Sequence, residues 1–188
     1  MQKIRVLVPL AKGFEEIEAV SIVDVLRRAD IEVLLVSLNE NFLVEGANGI
    51  TLQADMDIKE VDVDRLDMIV LPGGWGGTHT LAEDVNVQRI LQEMDTKGKN
   101  IAAICAAPFA LSVAGVLKQK FTCYPSVEEQ IKEKGYMGDK MMVVEDANIM
   151  TSRGPATAIC FALAIVKKLK GEATYKSLKE GLLATYCE

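Results

Sequence analysis

Two hydrophobic rhythms alternate along the chain, and their order predicts its architecture. Residues 4–10 form a largely apolar run of strand length. Residues 15–29 follow with Ile17, Val20, Val23 and Leu26 near helical spacing, which predicts a helix. Residues 31–38 read as a second strand. Residues 42–52, interrupted by Gly46, Asn48 and Gly49, read as two short strands around a turn. Residues 67–71 predict a buried strand that ends in Pro72 and a glycine-rich loop. A helix over 85–97, a strand over 100–104 and a helix over 106–117 come next. Residues 126–134 predict a further helix. Residues 141–145 and 148–152 predict strands joined by a tight turn at Asp146-Ala147. The chain closes with a strongly apolar helix over 155–169 and a helix over 172–183. Pro155 opens the former, at a first position where the missing N–H costs nothing.

Strands that alternate with helices imply an α/β fold: a mostly parallel sheet with helices on both faces. Ligands of such sheets bind beyond the carboxyl ends of the strands. Three segments reach that edge: residues 11–18, the loop Gly73-Gly-Trp-Gly-Gly77, and Cys105. No internal repeat or linker divides the chain, so one domain over 1–188 is expected. The first helix carries Ile17, Val20, Ile22, Val23 and Val25 on more than one side, more than a one-sided surface helix needs. An isologous two-fold contact would bury the surplus. Packing within one subunit is the other reading.

Composition narrows the partners. Hydrophobic residues make up 49% of the 188 positions and charged residues 26%, the balance of a soluble globular protein. A net charge of −6 argues against nucleic acid, since no basic stripe is present to meet phosphates. No apolar stretch is long enough and free enough of charge to span a bilayer. The first residues run straight into a strand pattern without a signal-peptide cleavage region, so a cytoplasmic protein is expected. Cys105, Cys123, Cys160 and Cys187 lack zinc-type spacing and a C-x-x-C pair. In a reducing compartment all four are expected to be free thiols, with Cys160 in the core and Cys187 exposed.

Cys105 carries the strongest chemical signal. In Ile101-Ala-Ala-Ile-Cys-Ala-Ala-Pro108 an apolar strand stops at a cysteine, and small residues and a proline open a helix. Small neighbours suit a sharp strand-to-helix turn that lifts one nucleophile out of the sheet. A helix start would also favour thiolate over thiol, making Cys105 the acidic thiol of the four. The plainer alternative is a buried cysteine acting as a small hydrophobe. The glycine loop lacks both G-x-x-x-x-G-K-[ST] and G-x-G-x-x-G. It is either a turn or a source of free N–H groups, in which case Gly74 and Ala106 would form an oxyanion hole beside Cys105. Glu15 and Glu16 at the helix start read as solvated residues that complement its dipole. Glu18 lies on another side of that helix. Buried against Cys105 it would have a raised pKa and carry a proton near neutrality. His79 is the only histidine, either the partner of a Cys–His dyad or an exposed helix-cap residue.

Four motifs together carry a family resemblance. Ala11-Lys-Gly-Phe-Glu-Glu-Ile-Glu18, Val70-Leu-Pro-Gly-Gly74, Ala102-Ala-Ile-Cys-Ala-Ala-Pro108 and Thr151-Ser-Arg-Gly-Pro155 resemble the ThiJ/PfpI family, in its DJ-one branch with the bacterial relatives, within the class I glutamine amidotransferase-like superfamily. The likeness runs over essentially the whole chain. It implies a flavodoxin-like sandwich, a nucleophile elbow and a homodimer. It matches Cys105 to the family's reactive cysteine and Glu18 to the buried acid beside it. Gly74 and Ala106 match backbone donors at that site. Arg153 and Pro155 match a segment at the dimer interface near the partner's site. Ala106 stands where the protease-like branch has histidine, and Tyr124-Pro125 where many members have His-Pro, so no histidine-assisted hydrolase is implied. Two functions follow from the resemblance. One is a cofactor-free, stress-protective enzyme of the glyoxalase or deglycase type, acting on methylglyoxal, glyoxal or glycated protein through Cys105 with Glu18 as acid/base. The other is an oxidative-stress sensor or redox-regulated chaperone in which Cys105 oxidises to sulfinate.

Overall fold

A computed structural model describes residues 3–187. The chain opens with β1 (Arg5–Leu10), α1 (Glu16–Arg28) and β2 (Glu32–Ser37). The hairpin β3 (Leu43–Glu45) and β4 (Thr51–Gln53) follows, then β5 (Met56–Asp57), β6 (Met68–Leu71), α2 (Trp75–Glu83) and α3 (Val85–Thr96). Next come β7 (Asn100–Ile104), α4 (Pro108–Val113), β8 (Lys120–Phe121) and β9 (Gly135–Tyr136). The antiparallel pair β10 (Val143–Asp146) and β11 (Ile149–Ser152) leads into α5 (Ala158–Lys170) and α6 (Glu172–Gly181).

Seven strands form the main sheet in the order β10-β11-β7-β6-β1-β2-β5, parallel throughout except for edge strand β10. Its central strands are buried on both faces, which is why they read as continuous apolar runs rather than alternating ones. The fold is α/β and flavodoxin-like, as the sequence predicts. From β1 the chain first winds outward through β2 and β5. It then returns to β6 on the other side of β1 and continues outward through β7 and β11. The order therefore reverses between β1 and β6, and a crevice opens there beyond the carboxyl ends of the strands. The turn into α1 leaves from β1, Gly73 follows β6 and Cys105 follows β7.

Helix α5 is apolar nearly all round, with Phe161, Leu163, Ile165 and Val166 fully buried. It packs against α1 and α6. On α1, Ile22, Val23, Val25 and Leu26 face the core, whereas Ile17 and Val20 are exposed. No helix among the described residues is long and apolar enough to cross a membrane.

Several elements differ from expectation. The glycine-rich loop is shorter than predicted, because α2 begins at Trp75 and includes Gly76 and Gly77. Glycine hides this helix from a propensity argument, yet the helix needs it. A Cβ on Gly77 would lie 2.9 Å from the Phe14 nitrogen, where the turn before α1 packs against it. Residues 126–134 form only the short 3-10 turn Val127–Gln130. Ser126 is left-handed (φ +77°), and Val127 and Ile131 are buried, an apolar pair that spans one turn and no more. Helix α4 is shorter than the predicted span, since residues 105–107 make the turn and Gly115 (φ +72°) stops it early. Residues 155–157 form a 3-10 turn ahead of α5.

The cysteines are not four free thiols. Cys160 on α5 and Cys187 are joined by a disulfide, and Cys187 is 2% exposed rather than on the surface. The bond ties the end of the chain back across 27 positions, a separation too long for a local pattern to announce. Cys105 and Cys123 are free and buried. Alkylation of unreduced, denatured protein should therefore find two thiols and find four after reduction. Four before reduction would exclude the bond. In a chain closed over this distance, Cys187→Ser should cost roughly 3 kcal/mol in chemical denaturation.

Candidate active site

Cys105 sits at the end of β7 with φ +64°, a left-handed conformation that is sparsely populated for a residue with a side chain. The surrounding backbone holds it there. Its N–H donates to Ser152 O at 3.0 Å on neighbouring β11, and its carbonyl accepts from Tyr124 N at 2.9 Å. Ala107 N closes the turn onto Ile104 O at 3.0 Å. This is the strained elbow that the small residues on either side of Cys105 foretell.

Glu18 arrives from the crevice. Glu15 is the N-cap of α1, its side chain accepting from Glu18 N at 2.7 Å, and the helix then turns Glu18 inward to 0% exposure. Glu18 Oε2 accepts from Gly73 N at 2.8 Å, and the carboxyl lies beside the Cys105 thiol, close enough for each to shift the other's titration. Burial raises its pKa from an ordinary 4.5 to about 7, against the lowering effect of Cys105 and Gly73. The cysteine departs from the sequence expectation. Its thiol is pushed up, not down: burial comes first, then the charge of Glu18, and the backbone N–H groups of Gly74 and Ala106 pull only partly the other way. A six-residue α4 that starts three positions later supplies too little dipole to reverse this. Cys123 is raised as well, to about 12, chiefly by burial.

The fit around this pair is tight at Gly73. A Cβ there would lie 2.6 Å from both Cys105 Cβ and Glu18 Oε2. Gly74 next to it has φ +89°, and an added Cβ would meet Gly13 O at 2.4 Å. These positions need glycine because strand end, elbow and helix start converge on one point.

The structure thus brings Cys105, Glu18, Gly74 and Ala106 together. Arg153 and Pro155 do not line the cavity beside Cys105. They border a neighbouring depression with Tyr124, a residue that lines both. His79 is exposed on α2, its ring 4.7 Å from that of Trp75, and makes no dyad with Cys105. Glu16 was read as solvated but is 4% exposed. Its carboxylate accepts from Asn48 N, Asn48 Nδ2 and Ile50 N, tying α1 to the turn between β3 and β4. Burial would raise its pKa, but these donors hold it below the ordinary carboxylate value. Gly73 and Trp75 are the residues a motif reading passes over, the first as a mere turn and the second as part of a loop. The signal for Gly73 was its place directly after a buried strand.

The cavity itself has a volume of about 340 Å³ and opens beside Cys105 and Ala106. Trp75 and Tyr124 wall it, with Val127 and Gln130 completing the far side. A free cysteine on an elbow beside a cavity, paired with a buried carboxyl at the switch point of a parallel sheet, defines a class of α/β-sandwich proteins. The model of the DJ-1/PfpI family matches residues 4–168. Protein dj-1beta of Drosophila melanogaster is 41% identical over 182 residues, 96% of this chain and 97% of its own. The crystal structure of Drosophila melanogaster DJ-1beta superposes with a TM-score of 0.92 at 40% identity, covering 96% of this chain and 98% of that one. The glutathione-independent glyoxalase DJR-1.2 of Caenorhabditis elegans is 36% identical over 169 residues, 89% of each chain. The chain belongs to the DJ-1/PfpI family.

Two variants probe this geometry. Gly73→Ala should cost about 1–3 kcal/mol through overpacking and should change the rate of Cys105 alkylation, since the new methyl would press on both Cys105 Cβ and Glu18 Oε2. Wild-type stability and reactivity in that variant would show the wedge to be slack. The sign of the Glu18 effect on stability is also set. Its folded pKa lies above the unfolded value, so its contribution is complete below pH 4.5 and is lost as pH rises through about 7. Urea titrations should show stability falling by roughly 3 kcal/mol across that window, and Glu18→Gln should remove most of the slope.

Proposed function

We propose that this protein is a cofactor-independent enzyme of carbonyl stress that converts 2-oxoaldehydes such as methylglyoxal and glyoxal to 2-hydroxy acids. The observation that carries this reading is the buried Glu18–Cys105 pair opening onto a cavity with room for a substrate. A carboxyl with a pKa of about 7 is matched to proton transfer at neutral pH. The kinship with a protein named as a glutathione-independent glyoxalase supports it.

The raised thiol pKa dictates the first step. Cys105 rests as a thiol, and the Glu18 carboxylate takes its proton as sulfur attacks the aldehyde carbon. The S–C bond forms, the carbonyl π bond breaks, and the proton passes from Glu18 to the aldehyde oxygen, giving a hemithioacetal. Backbone N–H groups of Gly74 and Ala106 hold the negative charge that develops meanwhile. Glu18 then removes the hydrogen from the former aldehyde carbon, forming an enediolate, and returns it to the adjacent carbon, while the hydroxyl proton of the first carbon passes to the oxygen of the second. The first carbon is oxidised to a thioester and the second is reduced to an alcohol, so no external oxidant is consumed. Water hydrolyses the thioester, which frees the hydroxy acid and restores the thiol. Displacement by the same thiol at the aminocarbinol carbon of a glycated protein would form the S–C bond, break the C–N bond and release the protein amine, protonated by Glu18, leaving the same hemithioacetal.

A homodimer belongs to this proposal. Exposed Ile17 and Val20 give α1 an apolar face to share, and Arg153 and Pro155 stand beside the site where a second subunit would approach. In the alternative reading Cys105 is an oxidation sensor, held as sulfinate by the same donors. That reading leaves the adjoining cavity without a purpose.

Methylglyoxal turnover by purified protein is the test, and Cys105→Ser should abolish it. Glu18→Gln should lower kcat by about 10²–10⁴-fold with the fold intact, and near-normal turnover there would remove Glu18 from the mechanism. The acid limb of kcat/KM should rise with an apparent pKa near 7 as Glu18 ionises. Light scattering should give twice the chain mass at micromolar concentration, and Val20→Asp should lower mass and turnover together. A fully active monomer would end the dimer proposal.

A further inference from the structure

The cavity beside Cys105 is larger and less polar than methylglyoxal requires. Its volume of about 340 Å³ falls in the range of pockets that enclose ligands of drug size. Its two principal walls are aromatic, and both are held from outside. Trp75 is braced by Phe109, edge-on at 5.8 Å between ring centroids, and by His79 at 4.7 Å. Tyr124 is anchored through its backbone to the elbow carbonyl at 2.9 Å, and its ring lies against Gly154, where an added Cβ would come within 3.3 Å. The lining residues other than Cys105 are Trp75, Ala106, Tyr124, Ser126, Val127 and Gln130, none of them a charged side chain that would meet a charged substituent.

We propose that Trp75 and Tyr124 form a subsite for an uncharged aromatic substituent on the aldehyde, so that the preferred substrates are aryl 2-oxoaldehydes rather than methylglyoxal. The inference rests on the carbonyl reading of the same site. The chemistry at the thiol is unchanged: sulfur adds to the aldehyde carbon, and the aryl ketone carbon becomes the alcohol carbon of the product. The aromatic ring lies between the two walls, where ring–ring contact adds to burial. Within one chain, a phosphate or carboxylate on the substituent meets no charged lining side chain and is disfavoured.

The experiment compares kcat/KM for phenylglyoxal, 4-carboxyphenylglyoxal and methylglyoxal, each divided by its rate of addition to a free small thiol to remove intrinsic reactivity. The expected phenyl-to-methyl ratio is at least about tenfold, with the carboxylated compound below the phenyl one. Trp75→Ala should cut that ratio about tenfold, and Trp75→Phe should keep most of it. A corrected ratio near one, or a ratio unmoved by Trp75→Ala, overturns the subsite. Binding is tested separately from turnover. Trp75 is the only tryptophan in the chain, so its fluorescence reports on this wall alone. In Cys105→Ala protein, 2-hydroxyacetophenone should bind at least about tenfold more tightly than hydroxyacetone; equal binding overturns the subsite. Absent turnover of every aldehyde together with tight aryl binding would instead overturn the carbonyl reading and leave the subsite standing.

Discussion

The hydrogen bond from Gly73 N–H to Glu18 Oε2 is the point on which the site depends. It joins the first residues after β6 to the first turn of α1, across the gap where the sheet order reverses. A buried carboxyl needs such a donor, since ionised oxygen left without partners in an apolar setting costs several kcal/mol. One oxygen of Glu18 has this donor. The other, Oε1, is buried without a hydrogen bond of normal geometry among the described residues. Burial is therefore what lifts its pKa to about 7, and the lone backbone donor offsets less of it than the donors from Asn48 and Ile50 offset at Glu16. The same bond brings the carboxyl to the elbow, so the tuning of the acid and its contact with the nucleophile have one cause.

The architecture was legible because its signals are local. Continuous apolar strands, helical spacing and the small residues around Cys105 each declare themselves within a dozen positions. A topological rule then carries the strand ends to one edge, which places Cys105, Gly74 and Ala106 within reach of one another; periodicity does not settle whether Glu18 joins them, and the family resemblance supplies that pairing. Arg153 and Pro155 are close in chain and space to Ser152, which accepts from Cys105 N, yet they face the neighbouring depression. The resemblance assigned them to a two-subunit site, and a single chain does not bring them to the thiol.

What escaped the sequence depends on distant partners. Glu15 and Glu16 are identical in chemistry and adjacent in the chain, and only the turn at Asn48 makes one of them buried. The disulfide pairs positions whose surroundings, taken one at a time, announce a core residue and a chain end. The direction of the Cys105 shift reverses because a helix start is a local property while desolvation is a property of everything packed above it. Helix α2 was hidden for the opposite reason: its glycines have poor propensity, and the close approach of Gly13 and Phe14 demands them anyway.

Three carboxylates within four residues do three unrelated jobs at the start of α1. Glu15 caps the helix, Glu16 clamps a hairpin and Glu18 meets the thiol. Each job is assigned by angle around the helix axis, because successive residues are turned by about 100°. Adding or deleting one residue between Glu16 and Glu18 would leave the composition of this stretch almost untouched while turning the acid by that amount relative to the cap and the clamp. The acid would then leave the crevice. The segment is thus as sensitive to changes in length as to changes in chemistry. Variation among descendants of this sequence should accordingly enter here as substitutions in place, with insertions and deletions displaced to the exposed loops.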